Sequence, residues 1–289
     1  MKEIVKEKIA SLLSGGEEIQ SVEQLGGMTN QNYLVKTSSN QYIVKFFGKG
    51  TDKLIDRQNE KFNLELLKDL KLDVENYLFD IDAGIKVNQY IENAETLDST
   101  TIKTKFEKIA PILQTIHASG KELKGEFAPF EEIKKYESLI QGEISYPNYE
   151  VVRKSVFSLK DQLEEIGIDK KSCHIDLVPE NFIEGPDGHL YLIDWEYSSM
   201  NDPMWDLAAL FLESEFTSAE EEDFLSHYES DKTPVSRDKI RIYKILQDII
   251  WSLWTIYKEE NGADFGDYGI SRYNRAVKEL DCEGDLDEN

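Results

Sequence analysis

Cys173-His174-Ile175-Asp176-Leu177-Val178-Pro179-Glu180-Asn181, followed by Leu192-Ile193-Asp194-Trp195-Glu196-Tyr197, is the stretch on which the reading of this chain turns. It sets two carboxylates and an amide at fixed intervals, with short apolar runs between them. Asp176 and Asn181 stand five apart, and Asp194 opens a polar turn after Tyr191-Leu192-Ile193. Asp176 is the candidate general base, because a carboxylate that orients an alcohol can accept its proton late in a transfer. Asn181 offers a neutral oxygen and Asp194 an anionic one, a hard-oxygen pair suited to Mg2+. His174 is read as a brace for the loop. A lone His-x-Asp is an ordinary loop sequence; the amide and the second Asp give it chemical meaning once the surrounding elements fit.

Those elements begin with strands. Residues 3–13 read as an amphipathic helix stopped by Ser14-Gly15-Gly16. Strand-like runs follow at Ile19–Leu25, Asn32–Lys36 and Gln41–Phe47, the last two joined by a Ser38-Ser39-Asn40 turn. A helix over 56–70 comes next, then strands at Tyr77–Ile81 and Gly84–Tyr90. The expectation is α+β: a five-stranded antiparallel sheet with one inserted helix, then a mainly helical half. Helices are predicted from about 97 with an interruption or kink at Pro111, and near 129–141, 149–167, 203–215, 218–229, 237–259 and 268–280. One strand pair, 182–184 with 190–193, breaks the helical half. The acidic tail Asp281–Asn289 is expected to fray.

The bulk composition narrows the partners. The chain has 289 residues, 40% of them hydrophobic, and a formal net charge of -24. A surface this acidic argues against nucleic acid and anionic membranes as partners and suits a cationic small substrate, although on charge alone the better reading is that acidity only aids solubility. The two cysteines, Cys173 and Cys282, make neither a disulfide framework nor a metal cluster. The charged N-terminus is not a signal peptide, and no window is long and apolar enough to span a membrane. The expected location is the cytoplasm.

Two further groups of residues carry chemistry. Lys45 follows Tyr42-Ile43-Val44, so its ammonium is placed to hold nucleotide phosphates, with Glu60 on the next helix as its partner and Glu65 as a competitor. Gly26-Gly27-Met28-Thr29-Asn30 joins two strands and could lie over phosphates, but it lacks the Gly-x-Gly-x-x-Gly spacing, and by itself its default reading is a plain hairpin. The second group is aromatic. On a helix over 240–258, Ile242, Ile245, Leu246, Ile249, Leu253 and Ile256 share one face, while Trp251 and Trp254 lie on the other. Both faces must be buried, the tryptophan side against core or a ligand. Aromatic residues at this spacing are usually core. Here Trp195, Glu196 and Tyr197 follow the metal Asp directly, and Tyr268 begins a further helix. Rings with a carboxylate beside a reacting alcohol describe a cage for a quaternary ammonium ion.

The chain resembles the choline/ethanolamine kinases, in the aminoglycoside phosphotransferase-like branch of the protein-kinase-like fold and closest to their bacterial Lic type. The resemblance rests on His174-Ile175-Asp176 through Asn181, on Ile193-Asp194-Trp195-Glu196-Tyr197-Ser198-Ser199 through Asn201 and Asp206, on Trp251-Ser252-Leu253-Trp254, and on Tyr268 through Arg272. It implies two lobes with ATP at their hinge, a nucleotide-binding lobe over 1–90 and a catalytic and choline-binding lobe over 91–289. It further implies that Gln89, Tyr90 and Ile91 hold adenine, that Thr29 and Asn30 lie in the phosphate loop, and that Lys45 and Glu60 serve the nucleotide. Asp176 would be the base, and Asn181 and Asp194 the Mg2+ ligands. Glu196, Tyr197, Trp251, Trp254 and Tyr268 would bind substrate, and Asp206 would support the site from its helix. The phosphate loop departs from the protein-kinase pattern, and Trp195 stands where the family often has Phe.

The implied activity is ATP-dependent phosphorylation of choline, giving phosphocholine and ADP. Ethanolamine or an aminoglycoside is the alternative acceptor within the same fold; a primary ammonium favours carboxylates over rings, so the paired tryptophans point to choline. A non-catalytic nucleotide- or choline-binding module is the alternative of another class. The presence of Lys45, Asp176, Asn181 and Asp194 together argues against it.

Overall fold

The structure is a computed structural model and describes residues 2–9, 17–27, 30–48 and 50–284. The first elements are α1 (Lys2–Ile9), β1 (Ile19–Gln24), β2 (Gln31–Thr37), β3 (Gln41–Phe46), α2 (Arg57–Leu67), β4 (Asn76–Asp80), β5 (Ile85–Gln89) and β6 (Glu95–Thr96). Then come α3 (Phe106–His117), α4 (Pro129–Leu139), α5 (Tyr149–Ile166), β7 (Lys171–Cys173), β8 (Phe182–Glu184), β9 (Leu190–Leu192) and β10 (Ser199–Asn201). The last are α6 (Pro203–Glu213), α7 (Ser218–Tyr228), α8 (Arg237–Glu260) and α9 (Tyr268–Gly284). The chain divides into two compact units. One holds the described residues up to Asp98 together with Pro179–Tyr197; the other holds Ser99–Val178 and the described residues from Ser198 onward.

In the first unit, five strands form an antiparallel sheet in the order β1-β2-β3-β5-β4. The β2–β3 hairpin turns at Ser38-Ser39-Asn40, closed by Thr37 N–H donating to the Asn40 carbonyl at 2.9 Å. Strand alternation sorts the side chains. Tyr33, Val35, Tyr42, Val44, Ile85 and Val87 pack with Val5 and Ile9 of α1 in one apolar cluster. The intervening residues Lys45 and Lys86 therefore share the opposite face, and the register pairs them directly across β3 and β5. Asp56 starts α2 by accepting from the N–H groups of Gln58 and Asn59, which satisfies two of the helix's orphan donors. β6, β8 and β9 form a small second sheet.

The second unit is mostly helical. α8 has 24 residues and is buried on nearly all sides, Ile242, Ile245, Leu246 and Ile249 on one, Tyr243, Ile250, Trp251 and Trp254 on the other. It packs against α4, α5, α6 and α9. α7 begins with a Thr217–Glu220 capping box. β7 and β10 form a short antiparallel pair on either side of the segment that carries the signature residues.

Three local expectations change. Pro111 lies inside α3 without splitting it; the break in that apolar run falls at Lys105, after a short 3-10 turn. Proline removes one N–H from the helix ladder, while the helix stays anchored by buried Phe106, Ile109, Leu113 and Ile116. The tail is helical through Gly284, so the expected fraying from Asp281 does not hold there; 285–289 lie outside the described residues. The two- and three-residue strands β6, β7 and β10 were invisible to periodicity, which needs several alternations to register.

Candidate active site

In the first unit, Asp194 and Asn181 are brought together by the backbone. Ile193 N–H donates to the Asn181 carbonyl at 2.8 Å, and Trp195 Nε1 donates to the Leu192 carbonyl at 2.8 Å. Asp194 sits at φ 68, a left-handed conformation that non-glycine residues rarely adopt and that turns the chain sharply into the 3-10 turn Trp195–Tyr197. Its Oδ1 accepts from the Lys45 ammonium at 2.6 Å. Burial alone would lower the Lys45 pKa; Asp194 and then Glu196 override that and hold it above the usual lysine range. Asn181 is buried at the end of a 3-10 turn.

The expected pairing of Lys45 with Glu60 gives way to another. Glu60 accepts from Lys86 at 3.0 Å and from Arg57 at 2.6 Å. The register explains it: Lys86 lies beside Lys45 on the same sheet face, and Arg57 precedes Glu60 by one helical turn. Burial would raise the Glu60 carboxyl, but Lys86 and Arg57 hold it below the ordinary range. Arg57 Nη1 also donates to Glu196 at 2.9 Å, and Asn30 Nδ2 donates to the same Glu196 oxygen at 2.7 Å. Burial, with Asp194 nearby, pushes Glu196 up despite Lys45 and Arg57. Burial likewise lifts Asp73 to about 6.

Asn30, expected in the phosphate loop, is buried at the head of β2. Its Oδ1 accepts from Arg57 Nη2 at 3.0 Å and from Gly48 N–H at 3.3 Å. A Cβ on Gly27 would lie 2.7 Å from the Asn30 carbonyl oxygen, so this loop closes only with glycine there. Thr29 lies outside the described residues. Gln89 ends β5, its N–H donating to the Glu75 carbonyl at 2.8 Å; Tyr90 and Ile91 follow, and the Ile91 carbonyl accepts from Ala94 N–H at 3.3 Å. Tyr197 is half-buried at the end of its 3-10 turn.

In the second unit, the loop carrying Asp176 is pinned from α6. Asp206 accepts from the N–H groups of His174 and Ile175, both at 2.8 Å, and Trp205 Nε1 donates to the Ile175 carbonyl at 3.0 Å. These bonds hold Ile175 at φ 79, a costly conformation for a β-branched residue. Behind Asp206, His117 Nε2 lies 3.0 Å from Oδ2, and His117 Nδ1 lies 2.7 Å from the Tyr228 hydroxyl. With the proton on Nε2, the ring donates to Asp206 and accepts from Tyr228, so every atom of the relay is satisfied.

The aromatic residues of the same unit form a continuous wall. Trp251 and Trp254 meet edge to face at 6.4 Å, Trp254 and Phe265 lie 5.0 Å apart, and Phe265 and Tyr268 6.4 Å apart. Trp254 Nε1 is buried without a hydrogen-bond partner among the described residues. The Lys258 ammonium lies 5.7 Å from the Trp254 ring centre, and Arg272 lies 5.0 Å from that of Tyr268. Burial, then Glu213, Asp176 and Asp248, raise the Tyr268 phenol against the pull of Arg272. Asp176 is thus within electrostatic reach of the wall. Phe265 and Glu213 escaped the sequence reading, Phe265 because the α8–α9 loop has no periodicity. Its position three residues before Tyr268 was the available signal.

A family model described as choline/ethanolamine kinase matches residues 22–277. The chain belongs to the choline/ethanolamine kinase family. It is 32% identical over 269 residues to protein LicA of Haemophilus influenzae, covering 89% of this chain and 79% of the relative. The crystal structure of choline kinase LicA from Streptococcus pneumoniae is 77% identical, with 98% of this chain and 99% of that one covered and a TM-score of 0.95. A crystal structure of LicA in complex with AMP is 78% identical over 97% of this chain and 98% of that one, with a TM-score of 0.92. The α+β kinase-like fold of this family is the one expected from the strand-then-helix order.

Proposed function

We propose that this family member is an ATP-dependent choline kinase that transfers the γ-phosphoryl group of ATP to the choline hydroxyl. The observation that carries this reading is the ring wall of Trp251, Trp254, Phe265 and Tyr268 within electrostatic reach of Asp176. A trimethylammonium cannot donate hydrogen bonds; ring faces attract it through their quadrupoles, most strongly where water is excluded. The likeness to choline kinase LicA along nearly the whole chain supports the same substrate, and the AMP complex of LicA supports a nucleotide as donor.

In this mechanism Asp176 orients the choline hydroxyl and accepts its proton as the oxygen attacks. The aromatic wall fixes the cation, which converts an encounter between two solutes into an attack within one complex. Tyr197 is assigned to the substrate as well, whereas Glu196, whose carboxylate is taken by Arg57 and Asn30, serves the site rather than choline. Gln89, Tyr90 and Ile91 take the adenine, and Asn30 with Thr29 takes the phosphates.

The donor set of Asn181 and Asp194 fits Mg2+, since both supply hard oxygens and Asp194 already holds a cation, the Lys45 ammonium, at 2.6 Å. Mg2+ bound there would supply positive charge to the transferring phosphates. Lys45 exchanges Asp194 for phosphate oxygens when nucleotide binds, with its charge secured by Asp194 and Glu196 until then. No helix among the described residues is long and apolar enough to cross a membrane. We place the reaction in the cytoplasm.

A coupled ADP-release assay with choline, ethanolamine and kanamycin as acceptors tests the reading. Choline should give the highest kcat/KM; a clear preference for kanamycin would overturn the substrate assignment.

A further inference from the structure

Arg57 is the first residue of α2, and its side chain is 7% exposed. One guanidinium there reaches four groups. Nη1 donates to Glu60 at 2.6 Å and to Glu196 at 2.9 Å, Nη2 donates to Asn30 Oδ1 at 3.0 Å, and the group lies over the Phe47 ring at 4.1 Å. Asn30 closes the circuit through its own bond to Glu196. The glycine loop before β2, the start of α2 and the turn after Asp194 are thus fixed to one planar fork. Arg57 is 139 residues from Glu196 in the chain.

Glu196 stands two residues beyond Asp194, in the 3-10 turn that Asp194 enters at φ 68. Clamping Glu196 therefore limits where the Asp194 carboxylate can point. Lys45, Arg57 and Lys86 face Asp194, Glu196 and Glu60 as three buried cations against three anions. Asp194 is held by Lys45, Glu196 by Arg57, and Glu60 by both Arg57 and Lys86. Lysine at position 57 would keep the charge but not the fork, because a single ammonium cannot hold two carboxylates and an amide in one plane.

We propose that Arg57 is a positioning residue for phosphoryl transfer: it fixes Glu196, and through the Trp195–Tyr197 turn it aims Asp194. The inference rests on the kinase reading above and adds to it a residue that acts through another rather than on substrate.

Kinetics of R57K, E196Q and the double variant test it. R57K should lower kcat about tenfold or more in the wild-type background, as losing an orienting partner does, while the choline KM stays within about twofold. In the E196Q background R57K should change kcat little, since the group through which Arg57 acts is already altered. An equal loss in both backgrounds, or wild-type kcat in R57K, would overturn the proposal. Should R57K not fold, R57Q measured against wild type and R57Q/E196Q measured against E196Q carry the same comparison. Calorimetric titration of each variant with ATP and Mg2+ gives a second readout, with weaker binding expected for R57K in the wild-type background only. A wild-type protein that binds nucleotide but leaves choline unphosphorylated would sink the choline reading alone, and the binding cycle would then judge Arg57.

Discussion

Asp176, Trp254 and Asp73 each make a different demand on the protein, and each can be tested by one substitution. Asp176→Asn keeps the shape of the loop and removes the proton acceptor. It should cut kcat by on the order of 10²- to 10⁴-fold and leave nucleotide binding, measured by calorimetry, near the wild-type value. Trp254→Ala should cost choline about 2 kcal/mol as a desolvated cation–π contact, a KM rise of roughly 30-fold. The ATP KM should stay put; an equal rise for both substrates would make Trp254 a packing residue. Asp73 has a folded-state pKa of about 6 against an ordinary 3.8. Its protonated form is favoured by the fold, so its contribution to stability is full below the ordinary value and lost as pH rises through 6. Asp73→Asn should therefore raise the melting temperature at pH 8 and leave it little changed at pH 3. Asp176, Asn181 and Asp194 were legible as candidates because spacing singles them out: they fall in one short stretch. Arg57 was not, and neither was the bond of Asn30 to Glu196, because Glu196 lies 139 residues from Arg57 and 166 from Asn30. Nothing local in Asp56-Arg57-Gln58 distinguishes a buried clamp from a solvated first turn. The Lys45–Glu60 expectation failed for the same reason: the pairing depends on the β3–β5 register, which puts Lys86 next to Lys45.

At the scale of elements, the α8–α9 junction decides where Tyr268 stands. A Cβ on Gly269 would lie 2.6 Å from the Tyr146 hydroxyl and 2.9 Å from Thr255. Gly269→Ala must push α9 off α8 or displace Tyr146 from its 2.9 Å bond to the Ser252 carbonyl. The expected destabilisation is about 1–3 kcal/mol, read by denaturant melting, with a raised choline KM because Tyr268 is the adjacent residue. A variant with wild-type stability and KM would show that α9 adjusts freely. Elements with several turns or alternations were read correctly, since α8 and the five-stranded sheet repeat their apolar pattern many times. β6, β7 and β10 were missed because two or three residues carry no period and their partners are distant in sequence, whereas the equally short β8 and β9 are joined by the turn Gly185-Pro186-Asp187-Gly188. The break at Lys105 rather than Pro111 shows buried side chains outweighing a missing hydrogen bond.

The whole molecule carries a formal net charge of -24, and its two reactants have opposite charge. A field of this sign speeds the arrival of a cation and slows that of a polyanion, and salt screens both effects. Raising ionic strength from about 10 mM to about 300 mM should lower kcat/KM for choline and raise it for ATP, each by a few-fold at most, with kcat unchanged. Parallel changes for both substrates would mean that net charge does not steer them. Phosphorus NMR of the purified protein with ATP, Mg2+ and choline asks the most of this account. A phosphocholine resonance should grow as the γ-phosphate signal of ATP declines, and Asp176→Asn should suppress it. ADP and free phosphate accumulating with no phosphocholine, or an undiminished phosphocholine signal from the Asp176→Asn protein, would contradict it.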